Sequence, residues 1–361
     1  MTHTMPAQVS TDGQAVKVDD SHAAERLLAG LNDLFSPWAL RAVATLGIAD
    51  IIASGVHDLP TLASRSGADQ DALGRLLRYL VCRGVFRENI PDEFQLTGAA
   101  CLLLTGHPSG MRARLHNDGA GIRMDQAYAN LLDSILTGEA CYPKVHGRPF
   151  WDDLAERPRL TSSFDTIMAG QYASHWAAEI AARYEWTQVG QVVDVGGGTG
   201  TLLTAIATRH PHLDAILVEQ PNTAATARKN FADAGLADRC TAVDGSFFEA
   251  LPSGADVYLL SQIVHDWDDQ DAVMILRRCA EAAGRGGRVL LFERVLCAAQ
   301  DERDSTLMDL HMLALFGSKE RTVDQFQELV SRVGLVVSSA LPVPGSTFWL
   351  LECTPVDGVP G

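Results

Sequence analysis

The stretch VVDVGGGTGTLL at 192–203 constrains the fold more than any other part of the chain. An apolar run ends in Asp194, glycines follow at 196, 197, 198 and 200, and Leu202 and Leu203 open a helical pattern. Strand, glycine turn and helix in that order are the unit of a parallel sheet covered by helices. The chain repeats the unit. The apolar runs QVVDVG, DAILVEQ, DVYLLSQIV and GRVLLFERVL alternate with helical segments at 200–209, 222–235 and 269–284. Continuous rather than alternating apolar strands are buried on both faces. The closing LVVSSALPVPGSTFWLLECT reads as two strands joined by a Pro/Gly turn, an antiparallel edge. Residues 187–356 are therefore expected to form a doubly wound α/β domain.

The glycine loop lets a ligand lie against backbone without interference from Cβ atoms. Glu219 ends the next strand, 23 residues beyond Gly196. A carboxylate there can accept hydrogen bonds from ribose hydroxyls. This arrangement fits a dinucleotide or S-adenosylmethionine (SAM), or a tight turn with no ligand. Asp-x-Gly-Gly-Gly-x-Gly departs from the G-x-G-x-x-G phosphate cradle, because Leu202 and Leu203 fill the region of the third glycine. Asp194 would repel a pyrophosphate, whereas SAM has no phosphate and brings an ammonium group. The reading favours SAM.

Upstream the texture is helical. Leu27, Leu28, Leu31, Leu34 and Phe35 recur at helical spacing, and Pro37 opens the next helix. Two further helices flank Gly67, and GVF and FQLT bracket a polar turn as in a small hairpin. Helix–turn–helix–hairpin over 21–110 is a winged-helix pattern. A DNA reader shows a basic stripe, but residues 1–110 hold eight Lys or Arg against twelve Asp or Glu. The whole chain carries −16, which repels nucleic acid and anionic membranes. A helical packing and dimerisation module is preferred. Residues 111–186 read as a helical linker and substrate-pocket region, broken by GEACYPKVHGRPF. A long helix at 163–184 follows, capped by Ser162 or Ser163. The first 20 residues are polar, lack an apolar signal core and read as a disordered lead-in. Seven cysteines are scattered with no CxxC pair, as reduced intracellular thiols, and no stretch matches a membrane helix. A cytoplasmic location is expected.

IVHDWDDQD at 263–271 offers a metal site, a general base or a helix start. Metal ligands converge from separated positions with a second histidine, and His-Asp-Trp-Asp has no recognised ligand spacing. No metal is expected. Asp268 or Asp269 suits the cap of the helix that follows. His265 falls after the fourth strand of the sheet, at the carboxyl edge where α/β folds bind ligands. Histidine suits a general base because its unperturbed pKa lies near neutrality.

VVDVGGGTG, GSFFEALPSGADVYLLSQIVHDWDDQDAVMILRRCAEAAGRGGRVLLFERVL and LFGSKERTVDQFQELVSRVGL, in that order, resemble SAM-dependent O-methyltransferases. The similar group is shared by plant phenolic and bacterial antibiotic pathways, and the resemblance spans about 25–354. It implies a Rossmann-like SAM domain and an N-terminal winged-helix-like domain that dimerises and closes over the partner's active site. It implies that Asp194, Gly196, Gly197, Gly198, Glu219 and Gln220 hold SAM and that Ser246 and Phe247 flank the adenine. Many members have Asp where this chain has Ser246, and Ser261 falls where some members use Lys to reach the cofactor, a reach that a serine makes more weakly. Met168 and Met312 match positions lining the acceptor pocket, although core packing accounts equally for either. The resemblance makes His265 the base, oriented by Glu293 and Glu320, with Asp266 toward the substrate. The implied activity is methylation of a hydroxyl on a small aromatic or polyketide-like secondary metabolite by a homodimer. Other chemistry on the same scaffold stays open: N- or C-methylation, or SAM-assisted hydroxylation, decarboxylation or pericyclic catalysis. So does a winged-helix regulator that senses SAM or a metabolite. An NAD-dependent oxidoreductase is the weaker rival.

Overall fold

A computed structural model describes residues 21–171, 176–297 and 303–356. The sequence expectation for residues 1–20 lies outside them. A two-stranded hairpin, β1 (Phe86–Ile90) and β2 (Glu93–Leu96), belongs to the N-terminal part. The main sheet comprises β3 (Gln191–Val195), β4 (Asp214–Glu219), β5 (Cys240–Asp244), β6 (Val257–Ser261), β7 (Arg288–Arg294), β8 (Leu335–Pro342) and β9 (Phe348–Pro355). Its order is β5-β4-β3-β6-β7-β9-β8, parallel from β5 through β7. β9 joins β7 antiparallel, and β8 joins β9 antiparallel, forming the edge that the Pro/Gly turn predicts.

Side chains alternate through the sheet. On one face Leu259 and Phe292 pack with Leu203, Ile206, Phe231 and Trp186. On the other, Tyr258 and Leu291 pack with Ile275, Leu276, Phe326 and Leu329. Both faces are dry, which is why the strands read as unbroken apolar runs. Strand order reverses beside β3, between β4 and β6, so the carboxyl ends of β3 and β6 open on a shared crevice.

The N-terminal part has its own core, with Val43, Ile48, Leu62, Leu77, Leu80, Phe86 and Phe94 buried together. Asp58 and Asp69 cap its helices Leu59–Ser66 and Gln70–Cys82. The hairpin is present, but β1 runs further along the chain than GVF suggests, because polar Arg87 and Asn89 occupy its exposed face. Arg41, fully buried on helix Phe35–Leu46, ties this part to the middle of the chain. Its Nη2 donates to Gly121 O at 3.0 Å and pairs with Asp125.

The long helix differs from expectation. It begins at Pro158, five residues before Ser163, and runs to Gln171. Proline is favoured at the first helical position because its missing N–H has no intrahelical partner there. Ser163 is therefore interior, and its hydroxyl accepts from Ala120 N at 3.2 Å instead of capping. The helical path resumes at Ala177–Arg183, with residues 172–175 outside the described segments. Among the described residues no helix is long and apolar enough to cross a membrane.

Leu203 is fully buried between the glycine-loop helix and the sheet. Leu203→Ala should lower unfolding stability by about 2–5 kcal/mol, the usual loss for such a cavity. Urea denaturation of the purified protein measures it.

Candidate active site

The glycine loop is shaped by two separate demands. Gly196 and Gly198 have φ of 75° and 58°, left-handed values that disfavour a side chain. Gly197 does not, yet a Cβ there would lie 2.4 Å from Asp194 Oδ2. At Gly196 a Cβ would lie 2.7 Å from Ile263 Cδ1 and 3.4 Å from Phe247 Cε1. The loop thus rests on Asp194 below and is walled by Ile263 and Phe247.

Asp194 is fully buried, and neither carboxylate oxygen has a hydrogen-bond partner among the described residues. Burial, together with the charge of Glu219, pushes its pKa up to about 7. Glu219 is bonded to the loop itself. It accepts from Gly198 N at 3.1 Å and from Gln220 N at 2.7 Å, and burial raises its pKa. An orphaned buried carboxylate, a second carboxylate and a cradle free of Cβ atoms fit a ligand that is cationic and carries a ribose. They suit SAM, whereas the two carboxylates repel a pyrophosphate.

The second half of the site is the turn after β6. Gln262 has φ of 54°, unusual for a residue with a side chain and costing on the order of 1 kcal/mol. The one-turn 3₁₀ helix Val264–Asp266 follows, and then Asp268, whose carboxylate accepts from Gln270 N and Asp271 N. Asp268 is therefore the cap. Asp269 pairs with Arg321 and Lys319 instead.

His265 is 6% exposed. Its Nδ1 lies 3.0 Å from Glu320 Oε1, and its Nε2 lies 3.5 Å from Asp266 Oδ1. Burial alone would depress the imidazole, but the charges of Glu320, Asp266 and Glu293 outweigh it and raise the pKa to about 10. Glu293 bonds to the turn rather than the ring: its Oε1 accepts from Ile263 N at 3.0 Å and Val264 N at 2.8 Å. Burial pushes both Glu293 and Asp266 up to about 7. Among the described residues no group of three or more His, Cys, Asp or Glu is arranged to hold a metal ion.

The remaining sequence candidates occupy the same crevice less directly. Phe247 meets Trp267 edge-on at 5.6 Å, next to the glycine loop. The Ser246 hydroxyl accepts from Phe248 N at 3.2 Å, a local turn bond. Ser261 ends β6 and is buried. Met168 packs against the buried cluster that includes Phe150, Leu160 and Leu315, whereas Met312 is buried on helix Arg303–Phe316.

Sequence reasoning missed several neighbours. Trp151 stacks on Trp267 at 6.4 Å and on Phe316 at 5.5 Å, joining the middle segment to the His265 turn. Asp165 accepts from Thr223 Oγ1 at 3.0 Å and is raised to about 6 by burial, close enough for its charge to act on Glu219. Arg321 is wholly buried against the turn. None has a local pattern that marks it, because each matters through a partner distant in the chain.

Comparison with known proteins agrees with this geometry. The model of the O-methyltransferase domain matches residues 128–336, and that of the O-methyltransferase dimerisation domain matches 30–106. The chain belongs to the SAM-dependent O-methyltransferase family with its dimerisation domain, and SAM is its cofactor. The 2,7-dihydroxy-5-methyl-1-naphthoate 7-O-methyltransferase of Streptomyces carzinostaticus is 45% identical over 88% of this chain and 94% of that protein. Aclacinomycin 10-hydroxylase RdmB of Streptomyces purpurascens is 41% identical over 96% of this chain and 95% of that protein. Among solved structures, NcsB1 is an O-methyltransferase from neocarzinostatin biosynthesis, determined with SAM and 2-hydroxy-5-methyl naphthoic acid. It superposes with a TM-score of 0.82 at 43% identity, covering 91% of this chain and 98% of that one.

Asp194→Asn provides a test of the cofactor half of the site. Removing a buried, unpartnered charge should leave the ligand-free melting temperature equal or higher, while SAM binding weakens tenfold or more. Calorimetric titration and thermal melts of the same preparation report the two effects.

Proposed function

We propose that this enzyme methylates a hydroxyl of a planar aromatic or polyketide-like metabolite, with His265 as the general base. The observation that carries this is the link between base and cofactor cradle. Ile263 walls the glycine loop, and two residues later His265 is buried with Nδ1 on a carboxylate. SAM supplies an activated methyl group, so the protein's tasks are alignment, exclusion of water and removal of the hydroxyl proton.

Glu320 accepts the Nδ1–H hydrogen bond, which leaves Nε2 as the atom that receives the acceptor's proton. With a pKa near 10, the imidazole matches a phenol, whose pKa is about 10. Neutral phenol beside imidazole and phenolate beside imidazolium are then close in energy. The carboxylates around the ring make the second pair reachable inside a dry pocket. Trp151, Trp267, Phe164 and Phe316 provide flat apolar surface beside the base, which suits a planar acceptor. The naphthoate enzyme among the relatives is consistent with that class.

The helix Ser21–Leu31 exposes Leu27, Leu28 and Leu31, and the turn into the next helix exposes Leu34 and Phe35, a contiguous apolar run along the chain. Together with the dimerisation domain it supports a homodimer, the second copy covering this face.

A second reading comes from the 41% identity to a hydroxylase. The two separate on product: methyl transfer moves the label of methyl-labelled SAM into the acceptor, whereas hydroxylation adds oxygen and leaves the label behind.

His265→Ala should cut turnover of a phenolic acceptor by 100-fold or more with SAM affinity within twofold, followed by S-adenosylhomocysteine release. Unchanged turnover would remove His265 as the base. The pH dependence gives an independent check. The acceptor-free site holds imidazolium at neutral pH, and one proton must leave before transfer, so kcat/KM should rise with pH through the alkaline range. Glu320 stabilises that imidazolium, so Glu320→Gln should move the midpoint to lower pH. A midpoint that stays in place would assign the limb to the acceptor alone.

A further inference from the structure

Among the described residues, the buried Arg321 guanidinium bonds to the segment that carries His265 and to the first residue of the helix after it. Nη1 donates to Val264 O at 2.9 Å and Nη2 to Trp267 O at 2.9 Å. Nε and Nη2 both reach Asp269 Oδ1, at 3.1 and 2.8 Å. The two carbonyls bracket His265, one residue before it and two after. Glu293 Oε1 accepts from the Ile263 and Val264 N–H groups of the same turn. A carboxylate thus holds the donors of the turn and a guanidinium holds its acceptors.

We propose that Arg321 is a positioning residue for His265, fixing the backbone of the turn so that the imidazole stays on Glu320 with Nε2 toward the acceptor. This rests on the reading of His265 as base. Glu320 and Arg321 are consecutive, so one short strap sets both the ring and the backbone beneath it. The strap is itself anchored. Leu296 N donates to Arg321 O at 3.0 Å, Glu320 N donates to Asp309 Oδ1 at 2.9 Å, and Thr322 with Gln325 closes a capping box. An anchored strap can impose a conformation on a turn that includes the left-handed Gln262. The rigid fork of arginine spans two carbonyls and a carboxylate, whereas a lysine ammonium is a point donor on a flexible stem. Buried charge alone does not reproduce the geometry.

The experiment is a cycle of Arg321→Lys and His265→Ala in the full-length protein, read as kcat, KM for SAM and thermal stability. Arg321→Lys keeps the charge and is expected to fold, with kcat lowered tenfold or more and KM for SAM within twofold. In the His265→Ala background the same substitution should cause no further loss, because the residue acts through the imidazole. Full kcat in Arg321→Lys overturns the proposal, since charge would then suffice. A loss in the double variant as large as in the single one also overturns it, leaving Arg321 a general structural residue. If His265→Ala alone keeps full kcat, the base assignment fails first, and this proposal with it. Should Arg321→Lys not fold, Asp269→Asn decides. It removes the guanidinium's carboxylate partner from a half-exposed position, and it should lower kcat severalfold in the wild-type background and not in His265→Ala.

Discussion

The site depends on a charged imidazole kept dry among carboxylates. His265, Glu320 and Glu293 are all buried, and Asp266 is nearly so. Burial penalises every one of these charges, and only their mutual neutralisation makes the group tolerable. The compensation is geometric. One carboxylate bonds to the ring, one bonds to the backbone of the turn, and a third lies 3.5 Å from the far ring nitrogen. The sheet makes this possible, since β6 and β7 are adjacent and parallel and deliver the turn and Glu293 to the same edge. Helix Arg303–Phe316 and the strap after it complete the enclosure with Glu320 and Arg321.

The cofactor half obeys the same logic with fewer groups. Asp194 at the end of β3 and Glu219 at the end of β4 lie on neighbouring strands at the point where strand order reverses. Glu219 is satisfied by loop amides, and Asp194 is not. The protein has thus built a loop whose glycines make room for a carboxylate that has no hydrogen-bond partner among the described residues. That is an expensive arrangement for folding and a sensible one for capturing a cation.

Much of this was legible in the sequence wherever a pattern is local. The β3–loop–helix unit, the apolar strands and the antiparallel edge follow from runs of residue type with fixed period. β5 is the exception: Cys240–Asp244 is short and half polar, so no apolar run announces it. The start of helix Pro158–Gln171 departs from the serine cap that the sequence suggests, because serines favour caps only on average. Here Pro158 supplies a stronger start, and Ser163 finds a tertiary partner in Ala120. The site shows the same division. His265 and the Asp268 cap are visible in a nine-residue stretch. Glu293 was visible as a residue but not in its contact, because an acid near a histidine suggests the ring while only the fold reveals the turn amides. Asp165, Trp151 and Arg321 gain their meaning from partners 58, 116 and 57 residues away, beyond the reach of any local pattern.

Asp194 has one more consequence. A carboxylate whose pKa is about 7 is close to half protonated in neutral solution. A positive ligand resting against it favours the ionised form and lowers that pKa. Filling the cradle is therefore an exchange, in which a cation enters and a fraction of a proton leaves for the solvent. The heat of cofactor uptake near neutrality will then include the buffer's own ionisation heat, and affinity will climb as the medium becomes more basic. The glycine turn that first defined the fold is, in this sense, also a proton-coupled lock.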